Sequence, residues 1–171
     1  MVYQSGPMSD TSARCRSTQL FSLEERRVIK DSPASDLHRF TQAQDAVFET
    51  VLQELTDGKK RTHWMWFIFP QIAGLGSSSM AQIYSIGSEA EARSYLNHQV
   101  LGDRLKNCVS IVMGHKDKTA HEIFGSPDDL KFRSCLTLFD AISPDGNLFE
   151  EALKRFYGGQ PDEKTISLLN R

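Results

Sequence analysis

Ser126-Pro127-Asp128-Asp129-Leu130-Lys131-Phe132-Arg133-Ser134-Cys135-Leu136-Thr137-Leu138-Phe139-Asp140-Ala141-Ile142 is the stretch on which the fold turns. It opens as a helix should. Serine stands at the cap, proline at the first helical position, and two acids lie in the first turn, where the helix dipole favours negative charge. Leu130, Phe132, Cys135, Leu136, Leu138, Phe139 and Ile142 then cover more than one face. A helix that is apolar on most sides needs neighbours on most sides. The stretch therefore predicts a central, buried helix wrapped by others.

Those others are legible on both sides of it. Upstream, Leu37, Phe40, Gln44, Val47, Phe48, Val51 and Leu55 recur at spacings of three and four and predict one helix from Asp36 to Asp57. Gly58 stands where a left-handed C-cap is wanted, and Lys59-Lys60-Arg61 reads as a solvated basic turn. Thr62-His63-Trp64-Met65-Trp66-Phe67-Ile68-Phe69-Pro70-Gln71 is too apolar to be exposed along its length. It fits a short buried helical turn ending before Pro70, with a buried strand as the alternative. A Gly-Ser loop over Gly74 to Ser79 leads into a short helix over residues 79–86. Ser88-Glu89-Ala90-Glu91 and Thr119-Ala120-His121-Glu122 are capping boxes. Between them, Leu101, Leu105, Cys108, Val109 and Val112 mark a helix ending at Gly114. Downstream, Asn147 caps a helix closed by Gly158-Gly159, and Asp162 to Asn170 forms one more. The whole predicts an all-α fold, an orthogonal bundle of roughly six to eight mostly short helices.

The 171 residues suit one domain, placed at 36–171 behind a tail over 1–35. Residues 1 to 21 lack periodicity and predict disorder; Ser22-Leu23-Glu24-Glu25 opens a possible short helix through Lys30, which Asp31-Ser32-Pro33 ends. Serines and threonines with Arg14 and Arg16 and a single acid, Asp10, faintly resemble an organelle transit segment. A disordered or non-native tail is the simpler reading, with Met8 an alternative start. Three cysteines, Cys15, Cys108 and Cys135, show no CxxC spacing, which speaks against a disulfide framework and a cysteine-rich zinc site. No metal and no cofactor is expected, and the five histidines lack HExxH spacing. No apolar run approaches the roughly 18 residues of a spanning helix. A reducing, cytoplasmic setting follows as the expectation.

Longer motifs carry a resemblance. Lys60-Arg61-Thr62-His63-Trp64-Met65-Trp66-Phe67-Ile68-Phe69-Pro70-Gln71, Gly74-Leu75-Gly76, Met80-Ala81-Gln82-Ile83-Tyr84, Glu122 to Phe132, Thr137-Leu138-Phe139 and Phe156-Tyr157-Gly158-Gly159 resemble the domain-of-unknown-function 1810 family. The resemblance covers about Leu37 to Leu169. It implies a compact, mainly helical fold found in bacterial proteins. It implies no activity, substrate or catalytic residue, and the label "calpastatin" attached to members does not suit a globular chain.

The residues themselves point to two candidate sites. The second, the N-terminal amides of the buried helix with Ser126, is opposed as an anion site by Asp128 and Asp129, which read better as helix-start acids. The first is the fuller. Lys60, Arg61 and His63 supply donors suited to an anion. Trp64 and Trp66 supply faces on which a ring can stack. Gln71 follows, Gly74 and Gly76 let backbone approach a ligand, and Ser77, Ser78 and Ser79 add hydroxyls. Lys131 stands in an otherwise apolar helix, so it must snorkel, pair with an acid or serve a site. Ser134 and Thr137 share roughly its face. His63 and Lys131 are the candidates for catalysis, His63 because an imidazole titrates near neutrality. The expected site lies between the Lys60–Ser79 segment and the Lys131–Thr137 face, and would take a small anionic metabolite, phosphorylated or nucleotide-like. The plainer alternative makes the tryptophans core, the basic turn solvated and the loop a linker. GxxxxGK[ST] is absent, and so is GxGxxG after a strand.

Two other readings stand beside it. A tryptophan could anchor a protein partner in a non-enzymatic interaction module. Nucleic acid is disfavoured, because the net charge is -2 and such surfaces are strongly basic. No membrane partner is expected.

Overall fold

The helix foreseen from Pro127, with Ser126 as its cap, begins one residue later. In the computed structural model, which describes residues 36–170, it spans Asp128–Ala141. Along the chain the described residues form ten helices: α1 His38–Asp45, α2 Phe48–Thr56, α3 Met65–Ile68, α4 Ser79–Ile83, α5 Glu89–Asn97, α6 Gln99–Gly114, α7 Ala120–Phe124, α8 Asp128–Ala141, α9 Leu148–Tyr157 and α10 Glu163–Leu169. A single parallel bridge, Ile72 with Ile86, is the only strand-like pairing among them. The tail, its Ser22–Lys30 helix and Cys15 lie outside the described residues.

The capping pattern at α8 is not the one expected. Pro127 itself occupies the flanking position (φ -94, ψ 15), and no side chain caps the helix. Ser126 is displaced outward and exposed. Asp128 and Asp129 are drawn to other partners instead, described below.

α8 packs against α5, α7, α9 and α10. Two of its rings, seven residues and so about two turns apart, organise the core. Phe132 lies 4.9 Å from Phe69 and 4.7 Å from Phe124 between ring centroids. Phe139 lies 5.5 Å from Tyr95 and 5.6 Å from Phe149. Such offset and edge contacts add about 1 kcal/mol each to the gain from burial. Leu130 departs from the expected burial, with 57% of its surface exposed.

The helix expected over Asp36–Asp57 is divided into α1 and α2. Val47 leaves helical geometry (φ -132, ψ 0), and its N–H bonds to Gln44 O, a tightened three-residue turn. The division has a tertiary cause. α1 packs on both α3 and α6 while α2 packs on α6, so the bend at Val47 lets α1 reach α3 while both helices keep α6 as a neighbour. Gln44, at the break, is buried and donates to Phe67 O (2.7 Å) and Tyr95 Oη (3.0 Å).

Elsewhere local chemistry holds. The tryptophan-rich run makes the short helix α3 and ends before Pro70. Thr119 and Glu122 form a complete capping box at α7. At α5, Ser88 accepts from Glu91 N, yet the Glu91 carboxylate takes Gly87 N and Arg39 rather than the cap residue's N–H. Cys108 and Cys135 are core residues; burial pushes the Cys108 thiol up to about 12 and raises Cys135 as well. At neutral pH both stay protonated and unreactive. No helix among the described residues is long and apolar enough to cross a membrane.

Candidate functional site

The site begins with a buried acid that the sequence did not single out. Glu54 of α2 is 3% exposed. Its carboxylate accepts from Arg61 N (2.8 Å), Thr62 N (3.1 Å), Thr62 Oγ1 (2.8 Å) and Trp64 Nε1 (2.8 Å). Burial opposes its charge, and the four hydrogen bonds outweigh that, holding the carboxyl below its ordinary range. This collar fixes the turn after α2 and seats Trp64 in the core, 1% exposed. Trp64 therefore offers no face to a ligand.

Trp66, two residues on, is only half-buried. The Lys131 ammonium stands 4.7 Å from its ring centroid. Lys131 Nζ also binds Asp128 Oδ1 at 2.7 Å, while Lys60 Nζ takes the other oxygen, Oδ2, at 2.8 Å. Lys60 in turn stands 5.2 Å from the Trp64 ring centroid. One carboxylate thus holds two lysines, each against a tryptophan. Burial opposes the charge on Asp128, but hydrogen bonds from Lys131 and Lys60 prevail, so its pKa lies below the usual aspartate value. Lys60 corrects the expectation of a solvated turn: its side chain is 8% exposed.

Trp66 and Lys131 face a cleft of about 570 Å³, within the usual range for small-molecule sites. The opposite wall is the start of α10. Asp162 caps that helix, its Oδ2 accepting from Thr165 N (3.1 Å) and Thr165 Oγ1 (2.6 Å). The same oxygen accepts from Ser134 Oγ of α8 at 3.1 Å. Asp162 N donates to Thr137 Oγ1 at 2.9 Å, and Arg133 donates to Gln160 O and Pro161 O at 3.0 Å each. The polar stripe of α8 is thereby used to tie down residues 160–162 and to bring Lys164 to the cleft.

Comparison with known proteins sets this geometry in a family. The model for "protein of unknown function (DUF1810)" matches residues 34–169. The chain belongs to the DUF1810 family. A solved member-like structure, the conserved hypothetical protein Rv1873 from Mycobacterium tuberculosis, is 46% identical and superposes with a TM-score of 0.78. The match covers 80% of this chain and 97% of that one. No curated protein matches the chain.

In this DUF1810 domain, Trp66, Gln71, Gly76, Lys131 and Ser134 come together on the cleft. Gly76 is required by close approach: a Cβ there would stand 2.5 Å from the Ala81 Cβ. Gly74 lines an adjoining, smaller compartment. The remaining expected residues are placed elsewhere. Arg61 is exposed and pairs with Asp57, four residues back, at 2.8 Å. His63 is exposed on the same turn and does not line the cleft. Ser79 is the first residue of α4, and it is Ser78 that caps the helix and lines the cleft. Lys60 lies behind Asp128, beside a separate hollow near Lys118 and His121. Those two residues are engaged: Lys118 Nζ donates to Asp57 O and Gly58 O, and His121 bonds Asp129. His115 is half-buried, its Nε2 2.7 Å from Leu55 O.

Sequence reasoning missed Asp162, Lys164 and Leu130 as cleft residues. Asp162 carried a signal, since an aspartate at a helix start is a cap and its position is then fixed. Lys164 carried none.

Proposed function

We propose that the Trp66–Lys131 cleft binds a small anionic metabolite bearing a planar ring, phosphorylated or nucleotide-like. One observation carries the reading: Asp128 holds Lys131 Nζ 4.7 Å from the centre of the half-buried Trp66 ring, on the wall of the cleft. A lysine kept in place before the ligand arrives loses less rotamer entropy on binding. Its ammonium has three donors, and Asp128 uses one. The exposed part of the indole gives a ring a surface to stack on. Lys60, Lys131 and Lys164 outnumber Asp128 and Asp162 by one charge, so the cleft and its immediate support are biased toward anions. Among the described residues no histidine lines the cleft, and the Ser134 hydroxyl is engaged with Leu130 O and Asp162. The arrangement supports binding rather than nucleophilic catalysis.

A second reading rests on Leu130, which lies on the same cleft and is 57% exposed. An apolar side chain from a protein partner would fit against it. Trp64 cannot be that partner's anchor, being buried.

A thermal-shift screen against mononucleotides, phosphosugars and other phosphometabolites separates the two. A ligand at a hundred times its dissociation constant adds about 2.7 kcal/mol of stability. The proposal expects a hit that Trp66→Ala and Lys131→Ala both lose. A hit retained in both variants removes the cleft from the argument. A flat screen with folded variants favours the protein partner.

A further inference from the structure

The cleft does not end at Lys164. A second compartment of about 280 Å³ lies beside it, lined by Gly74, Leu75, Lys164, Ser167 and Leu168. Leu75 and Lys164 line both spaces. Lys164, Ser167 and Leu168 are spaced i, i+3 and i+4, so one stripe of α10 forms the compartment's wall. Across from it, the backbone at Gly74 (φ +96) takes a conformation that side chains resist. A Cβ at Gly74 would stand in ordinary van der Waals contact with Leu168, 3.4 Å from its Cδ2, and would take up part of the space between them. The two compartments differ in chemistry. The larger has Trp66 and Lys131; the smaller has leucine methyls and one hydroxyl; a lysine marks their boundary.

Resting on the reading above, we infer that the ligand is bipartite: two uncharged ring-bearing moieties joined through an anionic phosphodiester or pyrophosphate link, the dinucleotide class. One ring stacks on Trp66. The link lies between Lys131 and Lys164, where ammonium donors meet phosphate oxygens. The second moiety enters the smaller compartment, its apolar surface against Leu75 and Leu168 and a hydroxyl within reach of Ser167. A mononucleotide fills the larger compartment only and leaves the second to water.

The test is isothermal titration calorimetry with a set of mononucleotides and the pyrophosphate-linked dinucleotides built from them. Wild type is compared with Ser167→Trp and Lys164→Ala. Ser167 is exposed, so its replacement obstructs the compartment without removing core packing; circular dichroism checks the fold. One dinucleotide should bind at least about tenfold tighter than its better half, roughly what one added set of well-made contacts supplies. Ser167→Trp should abolish that advantage while leaving the mononucleotide affinity unchanged, and Lys164→Ala should weaken the dinucleotide about tenfold. If mononucleotides bind and no dinucleotide gains, or Ser167→Trp keeps the gain, the bipartite ligand is wrong and the cleft reading survives. If no nucleotide of either kind binds, the bipartite ligand is wrong and the cleft reading rests on the other phosphometabolites of the thermal-shift screen. A single-stranded oligonucleotide binding tighter than every dinucleotide overturns the inference in favour of a nucleic-acid strand.

Discussion

Trp64 and Trp66 are two residues apart, and each has a lysine near its ring, both lysines hooked to the same Asp128. Yet one is core and the other is cleft wall. The difference is Glu54. Its carboxylate takes the Trp64 indole N–H together with two backbone N–H groups and a hydroxyl of the preceding turn. A tryptophan whose polar edge is satisfied inside can be buried completely. Trp66 projects from the other side of the short helix α3, where α8, α10 and the glycine loop leave a gap. The same residue type thus does opposite work because of what stands across from it.

Breaking the comparison on the Trp64 side should have the largest effect. Trp64→Ala is expected to cost about 4 kcal/mol, the cavity cost of a buried aromatic, while Trp66→Ala costs about 1 kcal/mol for partial burial. Urea denaturation of both variants measures the gap, and equal losses would mean that the two tryptophans are not divided as described. Next in size is Glu54→Gln, at about 2 kcal/mol, because buried donors lose a charged acceptor. It also sharpens the electrostatics. The Glu54 carboxyl titrates below its ordinary value of 4.5 when folded. Its contribution is complete above 4.5 and is lost as pH falls through the lower, folded value. Wild-type stability should therefore decline below pH 4.5 more steeply than that of Glu54→Gln, and parallel curves would remove Glu54 as the cause. The smallest effect belongs to His63→Ala, expected within about 0.5 kcal/mol of wild type with ligand stabilisation unchanged. Loss of binding in that variant would return His63 to the site.

The legible parts of the structure are those that local chemistry decides. The Asn147, Asp162 and Thr119 caps are satisfied by their own first turns. Gly58 and Gly158 take the left-handed conformation that ends a helix (φ +64 and +63). The short helix before Pro70 follows from apolar density and the proline. The candidate site was legible in part. Trp66, Gln71, Gly76, Lys131 and Ser134 were read from residue type, and they do share a cleft. Arg61, His63 and Trp64 were read from the same words and do not line it. Adjacency in sequence does not fix the direction in which a side chain leaves the backbone.

The sequence by itself determined the helical class, most helix ends, the central place of α8 and the need for Lys131 to find a partner, since each follows from periodicity, capping or the cost of burying a charge. Tertiary structure alone decided the division of α1 from α2, the burial of Lys60, the fate of each tryptophan and the arrival of Lys164 at the cleft. These depend on pairs far apart in the chain, Gln44 with Phe67 and Tyr95, Lys60 with Asp128, Ser134 with Asp162. Their free energy exists only once packing has excluded water from both partners.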